Sequence, residues 1–297
     1  MKTLKGTFTV TVTPFSDDGR RVNEGVLRRF VDWQIDNGVH GLIPIGSTGE
    51  FLSWTDAERR QVAEVVVDQA NGRVPILIGA GAECTWDVVR YSREAEAIGA
   101  DGVLVIPPFY STPTDDELFE HYRAIGESIS IPVMLYNNPA TANVDMLPPL
   151  VAELSKIDNV SYIKESTMDP GRVAEILALS DGRMAVFGGI LGYESFKSGA
   201  VGWTAVGCNL MPRAFSDMYR LCVEHADAAA AAALNDRLQA VIELVGQDRY
   251  VSATKAALSM MGFAVGPPRP PRLPASGELL AWVERVVRDF ELAPVST

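Results

Sequence analysis

Pro132-Val133-Met134-Leu135-Tyr136-Asn137 and, further on, Ser161-Tyr162-Ile163-Lys164-Glu165 are short apolar runs separated by a loop and a helix-like stretch. Runs this short and rich in β-branched residues, bounded by turn residues and spaced by helical periodicity, spell strand, helix, strand. Working outward, the same unit recurs. Residues 7–14, 41–46, 74–79, 102–107, 184–187 and 202–207 are six more such runs, making eight. Between them lie amphipathic segments: residues 23–37 carry Val26, Leu27, Phe30, Val31 and Ile35 at helical spacing. Thr55 with Glu58 three residues later reads as a helix start, which Asp56 also favours.

Apolar strands each followed by a helix demand right-handed crossovers and a parallel sheet covered by helices. Eight units can close that sheet, so the expected fold is α/β, a (β/α)8 TIM barrel. An open doubly wound sheet is the alternative. Its dinucleotide-binding version needs a glycine-rich turn after the first strand, and Pro14-Phe15-Ser16-Asp17-Asp18-Gly19 is not one. Residues 212–224, 228–245 and 250–260 read as helices beyond what a closing unit requires. A proline-rich strap from Gly266 to Pro274 and one more helix over 277–291 follow. The expected organisation is therefore a barrel over 1–209, then the last barrel helix and a C-terminal helical extension over 210–297. The alanine run 228–233 needs no function beyond helix formation.

The chain has 297 residues, with 26 Lys plus Arg against 38 Asp plus Glu and a formal net charge of −12. With no basic block to neutralise phosphates, nucleic acid is not the expected partner. No apolar run approaches the ~18 residues that cross a bilayer, and the first residues lack a secretory apolar core. A cytoplasmic protein is expected. Cys84, Cys208 and Cys222 fit neither a disulfide framework nor a zinc site and read as buried thiols.

In such a barrel the reacting groups stand at the C-terminal ends of strands. The second strand ends in Gly46-Ser47-Thr48-Gly49-Glu50, where backbone amides and two hydroxyls could hold a carboxylate, or simply form a turn. The sixth carries Lys164 inside an apolar run. The other lysines, Lys2, Lys5, Lys156, Lys197 and Lys255, lie where solvation is easy. Burying an ammonium disfavours its charged form, and a neutral amine can attack a ketone. The alternative is a lysine paired with a carboxylate inside the barrel. Tyr136, one strand away, could move protons or be a packed aromatic. The fourth strand leads into Pro107-Pro108-Phe109-Tyr110, offering a second phenol. His40, His121 and His225 are too scattered for a metal motif, and none stands in a catalytic-triad context.

Taken together and in order, Gly46-Ser47-Thr48-Gly49-Glu50, Tyr110, Tyr136-Asn137-x-Pro139 and Lys164 resemble the dihydrodipicolinate synthase and N-acetylneuraminate lyase family, over essentially the whole chain. The resemblance implies that Lys164 forms a Schiff base with pyruvate or another 2-oxo acid and that Tyr136 is the acid/base. It makes Ser47 and Thr48 the carboxylate-binding and proton-relay hydroxyls and Tyr110 the tyrosine given across a dimer interface. It implies a homotetramer built as a dimer of dimers. Gly49, Thr141, Gly188, Thr204 and Val206 join Ser47 and Thr48 as expected substrate contacts. No metal or organic cofactor is expected, because the iminium itself supplies the electron sink.

Two departures shape the expected substrate. Dihydrodipicolinate synthases carry an arginine soon after the Tyr-Asn-x-Pro motif for the second substrate's carboxylate, and Thr141 stands there instead. Neuraminate lyases place polar residues after the seventh strand, where this chain has Gly188-Gly189-Ile190-Leu191. The chain looks most like the sugar-acid dehydratase and deaminase branch. A dehydratase, deaminase or aldolase of a 2-keto-3-deoxy sugar acid or similar 4-substituted 2-oxo acid is expected. The alternatives are 4-hydroxy-tetrahydrodipicolinate synthase and a non-catalytic barrel that binds a 2-oxo acid.

Overall fold

The computed structural model describes residues 3–292. Lys2 and the last five residues of the expected C-terminal extension lie outside the described residues. Strands β1 (Gly6–Val10), β2 (Gly41–Ile43), β3 (Leu77–Gly79), β4 (Gly102–Val105), β5 (Val133–Asn137), β6 (Val160–Glu165), β7 (Ala185–Gly188) and β8 (Gly202–Ala205) form one parallel sheet. Its order is β2-β1-β8-β7-β6-β5-β4-β3. The ring closes where β2 meets β3: Leu42 bridges Ile76, and the Gly79 N–H donates to the Pro44 carbonyl at 3.0 Å. The (β/α)8 barrel is thus confirmed, and each of the eight apolar runs overlaps one strand.

Alternation sorts the strand side chains onto two faces. Phe8, Val10, Leu77, Leu104, Met134 and Phe187 fill the lumen, while Val103, Val133, Leu135, Ile163 and Val186 pack outward against helices. Phe8 and Phe187 meet edge to face at 5.3 Å between ring centroids. Gly41 and Gly202 make room for them, since a Cβ on either would stand 2.4 Å or less from one of those rings. This aromatic floor leaves the C-terminal ends of the strands for polar groups.

Helices α1 (Glu24–Asp36), α2 (Asp56–Ala70), α3 (Thr85–Ala97), α4 (Asp115–Gly126), α5 (Pro148–Leu154), α6 (Gly171–Leu179), α7 (Gly192–Lys197) and α8 (Pro212–Tyr219) follow the eight strands in turn. The start of α2 is the capping box expected from Thr55 and Glu58. The α-helix expected over 212–224 needs correcting. It ends at Tyr219, and Arg220–Glu224 widens into a π-turn in which the His225 N–H reaches the Arg220 carbonyl at 2.8 Å. Then α9 (Ala228–Gly246), α10 (Tyr250–Met260) and α11 (Gly277–Asp289) pack beside the barrel. No described helix is long and apolar enough to cross a membrane.

The cysteines also differ from expectation. Cys208 is buried, and burial pushes its thiol up, but Cys84 is exposed and Cys222 half-buried. Cys84 caps the start of α3, at the end of the loop that follows β3.

Candidate active site

Across β5 and β6, Tyr136 pairs with Lys164 and Asn137 with Glu165. This register sets the site. Tyr136 and Lys164 face the lumen, and Lys164 is only 6% exposed with its Nζ 4.0 Å from the centroid of the Tyr136 ring. Asn137 and Glu165 face outward into a polar lock. The Asn137 Nδ2 donates to Glu165 Oε2 at 3.1 Å and to Asp145 Oδ1 at 3.0 Å, and Arg172 grips Asp145 through two hydrogen bonds of 2.7 and 2.9 Å. Slipping β6 by one residue would break this lock and turn the lysine out of the barrel, and slipping β5 would do the same to Tyr136.

Among the described residues no carboxylate lies within salt-bridge distance of Lys164. The reading of a lysine neutralised by an ion pair therefore fails. The Tyr136 phenol accepts from Asn138 Nδ2 at 2.9 Å. Burial by itself would raise the pKa of this phenol. The charge of Lys164 and hydrogen bonds with Asn138, Lys164 and Ser47 outweigh burial and hold it below its ordinary value.

Ser47 belongs to a tight 3₁₀ turn, Ser47–Gly49, rather than to α2 itself. As the first groups of that turn, the Ser47 and Thr48 amides have no protein acceptor among the described residues. Two non-glycine residues in left-handed geometry flank it, Ile45 at φ 65° and Glu50 at φ 66°. For a β-branched residue such a φ costs on the order of 1–3 kcal/mol, and strain of this kind gathers where a side chain must be aimed. Gly79 of β3 permits it, because a Cβ there would lie 2.2 Å from the Ile45 carbonyl oxygen.

The remaining expected contacts are less uniform. Thr204 faces the lumen and donates to the Gly188 carbonyl at 3.2 Å, while Val206 is half-buried just beyond it. Gly49 is buried, and Thr141 is exposed at the mouth, its hydroxyl 3.3 Å from the Asn138 carbonyl. Tyr110 is 86% exposed and is not brought to Lys164 within this chain. Its loop is nonetheless shaped: the Glu83 carboxylate accepts from the amides of Phe109, Tyr110 and Ser111 at 2.8–3.0 Å.

Three groups escaped the sequence reading. Lys255, expected to be solvated, is 2% exposed and bonded to the buried Glu50 at 2.8 Å. The helix was read correctly but not its cover, the proline-rich strap, whose Pro267 carbonyl takes a hydrogen bond from Lys255 at 3.1 Å. Burial lowers this lysine to about 8, against the pull of Glu50. The signal available was that Lys255 is the single charged residue of α10. Arg269 of the strap is likewise buried, bound to Glu58 and to the carbonyls of Gly19 and Arg20. Tyr250, the first residue of α10, pairs with the Thr48 hydroxyl, and burial is the main cause of its rise to about 12. Lys255→Met should lower stability by about 3–5 kcal/mol, since it strands a buried carboxylate. Adding Glu50→Gln should recover part of that loss, with both changes read by denaturant titration.

A buried lysine beside a phenol, with no carboxylate partner among the described residues, next to a turn of amides and hydroxyls at the open end of a closed barrel, defines a lyase that works through a lysine Schiff base. Residues 3–289 match the profile of the Dihydrodipicolinate synthetase family, and the chain belongs to that family. It is 34% identical over 291 residues to a 4-hydroxy-tetrahydrodipicolinate synthase of Pelobacter propionicus, covering 97% of this chain and 99% of that one. Its fold matches the chloride-inhibited dihydrodipicolinate synthase of Acinetobacter baumannii solved with pyruvate, with TM-score 0.94, 29% identity and coverage of 98% and 100%. It also matches a structure described as the first monomeric dihydrodipicolinate synthase variant, with TM-score 0.90, 28% identity and 97% of each chain covered.

Proposed function

We propose that this lyase acts on a 2-oxo acid bearing a leaving group at C4, with Lys164 as the Schiff-base residue. The Lys164 amine bonds to C2 and passes one of its protons to the ketone oxygen, which takes a second from the Tyr136 phenol and departs as water. The iminium withdraws electrons, so C3 loses a proton and an enamine forms. The enamine expels hydroxide or an amine from C4, protonated as it leaves. In the aldolase case the C4 hydroxyl gives up its proton, C4 leaves as an aldehyde while the C3–C4 electron pair passes to the iminium, and C3 of the resulting enamine takes up a proton. Water then returns the lysine to its free form. The Ser47 and Thr48 amides and hydroxyls hold the carboxylate at C1.

Thr141 carries this reading. An exposed hydroxyl cannot replace a guanidinium that grips a carboxylate through two hydrogen bonds, and the nearby Arg172 is committed to Asp145. Ser166 supports a polar substituent at C4: it follows the β6 end, is buried, and its hydroxyl has no partner among the described residues. The relatives' names favour a second reading, 4-hydroxy-tetrahydrodipicolinate synthase. Steady-state assay separates the two. Condensation of pyruvate with aspartate semialdehyde should be negligible, whereas a panel of 2-keto-3-deoxy sugar acids and 4-amino analogues should yield a substrate. Robust condensation would reverse the assignment.

We further propose a cytoplasmic homotetramer. Leu52 in the turn after β2, Trp86 in the first turn of α3 and Tyr110 on the loop after β4 are all largely exposed. Such a patch suits an interface that would carry Tyr110 into a second copy's site. Sedimentation should find four copies, and Tyr110→Phe should lower turnover.

A further inference from the structure

Outside the barrel, between α2 and α3, lies a cavity of about 220 Å³. Ile78, on the outward face of β3, lines it together with Ala63 of α2, Ala95 of α3 and Ile98 just beyond that helix. Ile78 packs in the outer core rather than among the lumen side chains around Tyr136, so this space is separate from the candidate active site. Its volume falls just short of the ~300 Å³ at which drug-sized sites begin and suits a molecule of a single ring.

One buried charge stands among these apolar walls. Arg59 is 7% exposed, and its guanidinium lies over the Tyr91 ring, 3.9 Å from the centroid. Its Nη2 donates to the Gly79 carbonyl at 2.6 Å. Because Nη2 carries a second N–H, one fork of the guanidinium is left over whichever of the two the carbonyl takes. Nε and Nη1 have no acceptor among the described residues, yet neither is sealed from the cavity that Arg59 lines. Burial lowers this guanidinium to about 10, so it is still charged at neutral pH.

The acids nearby are engaged or out of reach. At the rim Glu94 binds Arg60 at 3.1 Å, while Asp56 binds Arg90 at 3.1 Å and the Tyr91 hydroxyl at 2.7 Å. Glu64 also lines the cavity but, like every described carboxylate, lies beyond salt-bridge distance of Arg59. A buried guanidinium without a counter-charge is costly, and an anion seated on its open fork offsets that cost. The planar fork suits a carboxylate, and the walls suit hydrocarbon.

We infer that the cavity between α2 and α3 binds a small apolar monocarboxylate, with the carboxylate on Arg59 and the hydrocarbon body against Ala63, Ile78, Ala95 and Ile98. The site stands apart from the Schiff-base chemistry and does not depend on the role of Lys164.

Calorimetric titration of the full chain with phenylacetate and with phenylacetamide tests it, since the two share a shape and differ in charge. A charge-assisted pair corresponds to about 10- to 100-fold, so the acid should bind that much more tightly than the amide. Arg59→Gln should bring the two together. Arg59→Lys, which keeps the charge and loses the fork, should fall between. Ala97→Trp changes an exposed residue at the cavity and leaves Arg59 in place. By filling the space it should weaken both ligands by on the order of tenfold. Ser47→Ala should keep the preference for the acid, which excludes the carboxylate cradle inside the barrel as its seat. The inference is overturned by equal binding of acid and amide, by binding of neither, or by unchanged binding in Ala97→Trp. A preference that survives Arg59→Gln, or one that is lost in Ser47→Ala, overturns it as well.

Discussion

Lys164→Ala should abolish borohydride-dependent labelling by pyruvate and lower turnover by on the order of 10⁴- to 10⁶-fold, the loss typical of removing a covalent nucleophile. Mass spectrometry of the wild-type protein should place the added mass on the peptide containing Lys164. Among the described residues the other buried lysine is Lys255, but it is bound to Glu50 and to the Pro267 carbonyl behind the strap. Labelling mainly at Lys255 would mean that the lumen-facing amine is not the one that meets the ketone. The non-catalytic alternative predicts no covalent adduct at all, so the same experiment separates an enzyme from a binding protein.

Tyr136→Phe should retain part of the Schiff-base formation yet lose about 10²- to 10⁴-fold in turnover, the usual contribution of a general acid/base. The distinction follows from geometry. The ring stays beside Lys164, whereas the hydroxyl that meets Asn138, Ser47 and the lysine is gone. Because Lys164 and these hydrogen bonds hold the phenol below its ordinary value, wild-type activity should show an alkaline ionisation below pH 10 that is missing in Tyr136→Phe. Ser47→Ala should behave differently. It removes a donor from the carboxylate cradle and should weaken 2-oxo acid binding by about 1–3 kcal/mol along with the rate. Single-turnover measurements on both variants distinguish proton transfer from binding. Near wild-type kcat in Tyr136→Phe would reduce the tyrosine to packing.

The barrel was legible because its evidence is local. Eight apolar runs alternating with amphipathic stretches need only periodicity to be seen, and closure follows from their number and the handedness of the crossovers. Lys164 stood out for the same reason, as a charge inside a strand pattern. So did Ser47 and Tyr136, which lie at strand ends where this architecture gathers its chemistry. The strap was seen as a stiff surface segment, but nothing in its composition revealed that Arg269 turns inward to hold the loops after β1 and β2.

By itself, then, the sequence determined the strand and helix order, the lumen-facing lysine and the amide-lined turn, since each depends on residues within a few positions of one another. Only the tertiary structure decided that Tyr136 lies directly across from Lys164, through the Asn137–Glu165 register lock. The same holds for Lys255, which is sealed against Glu50, and for Arg269, which turns inward to Glu58. The last two contacts join segments roughly 200 residues apart in the chain, and burial by a distant segment leaves no periodic trace in the residues it covers.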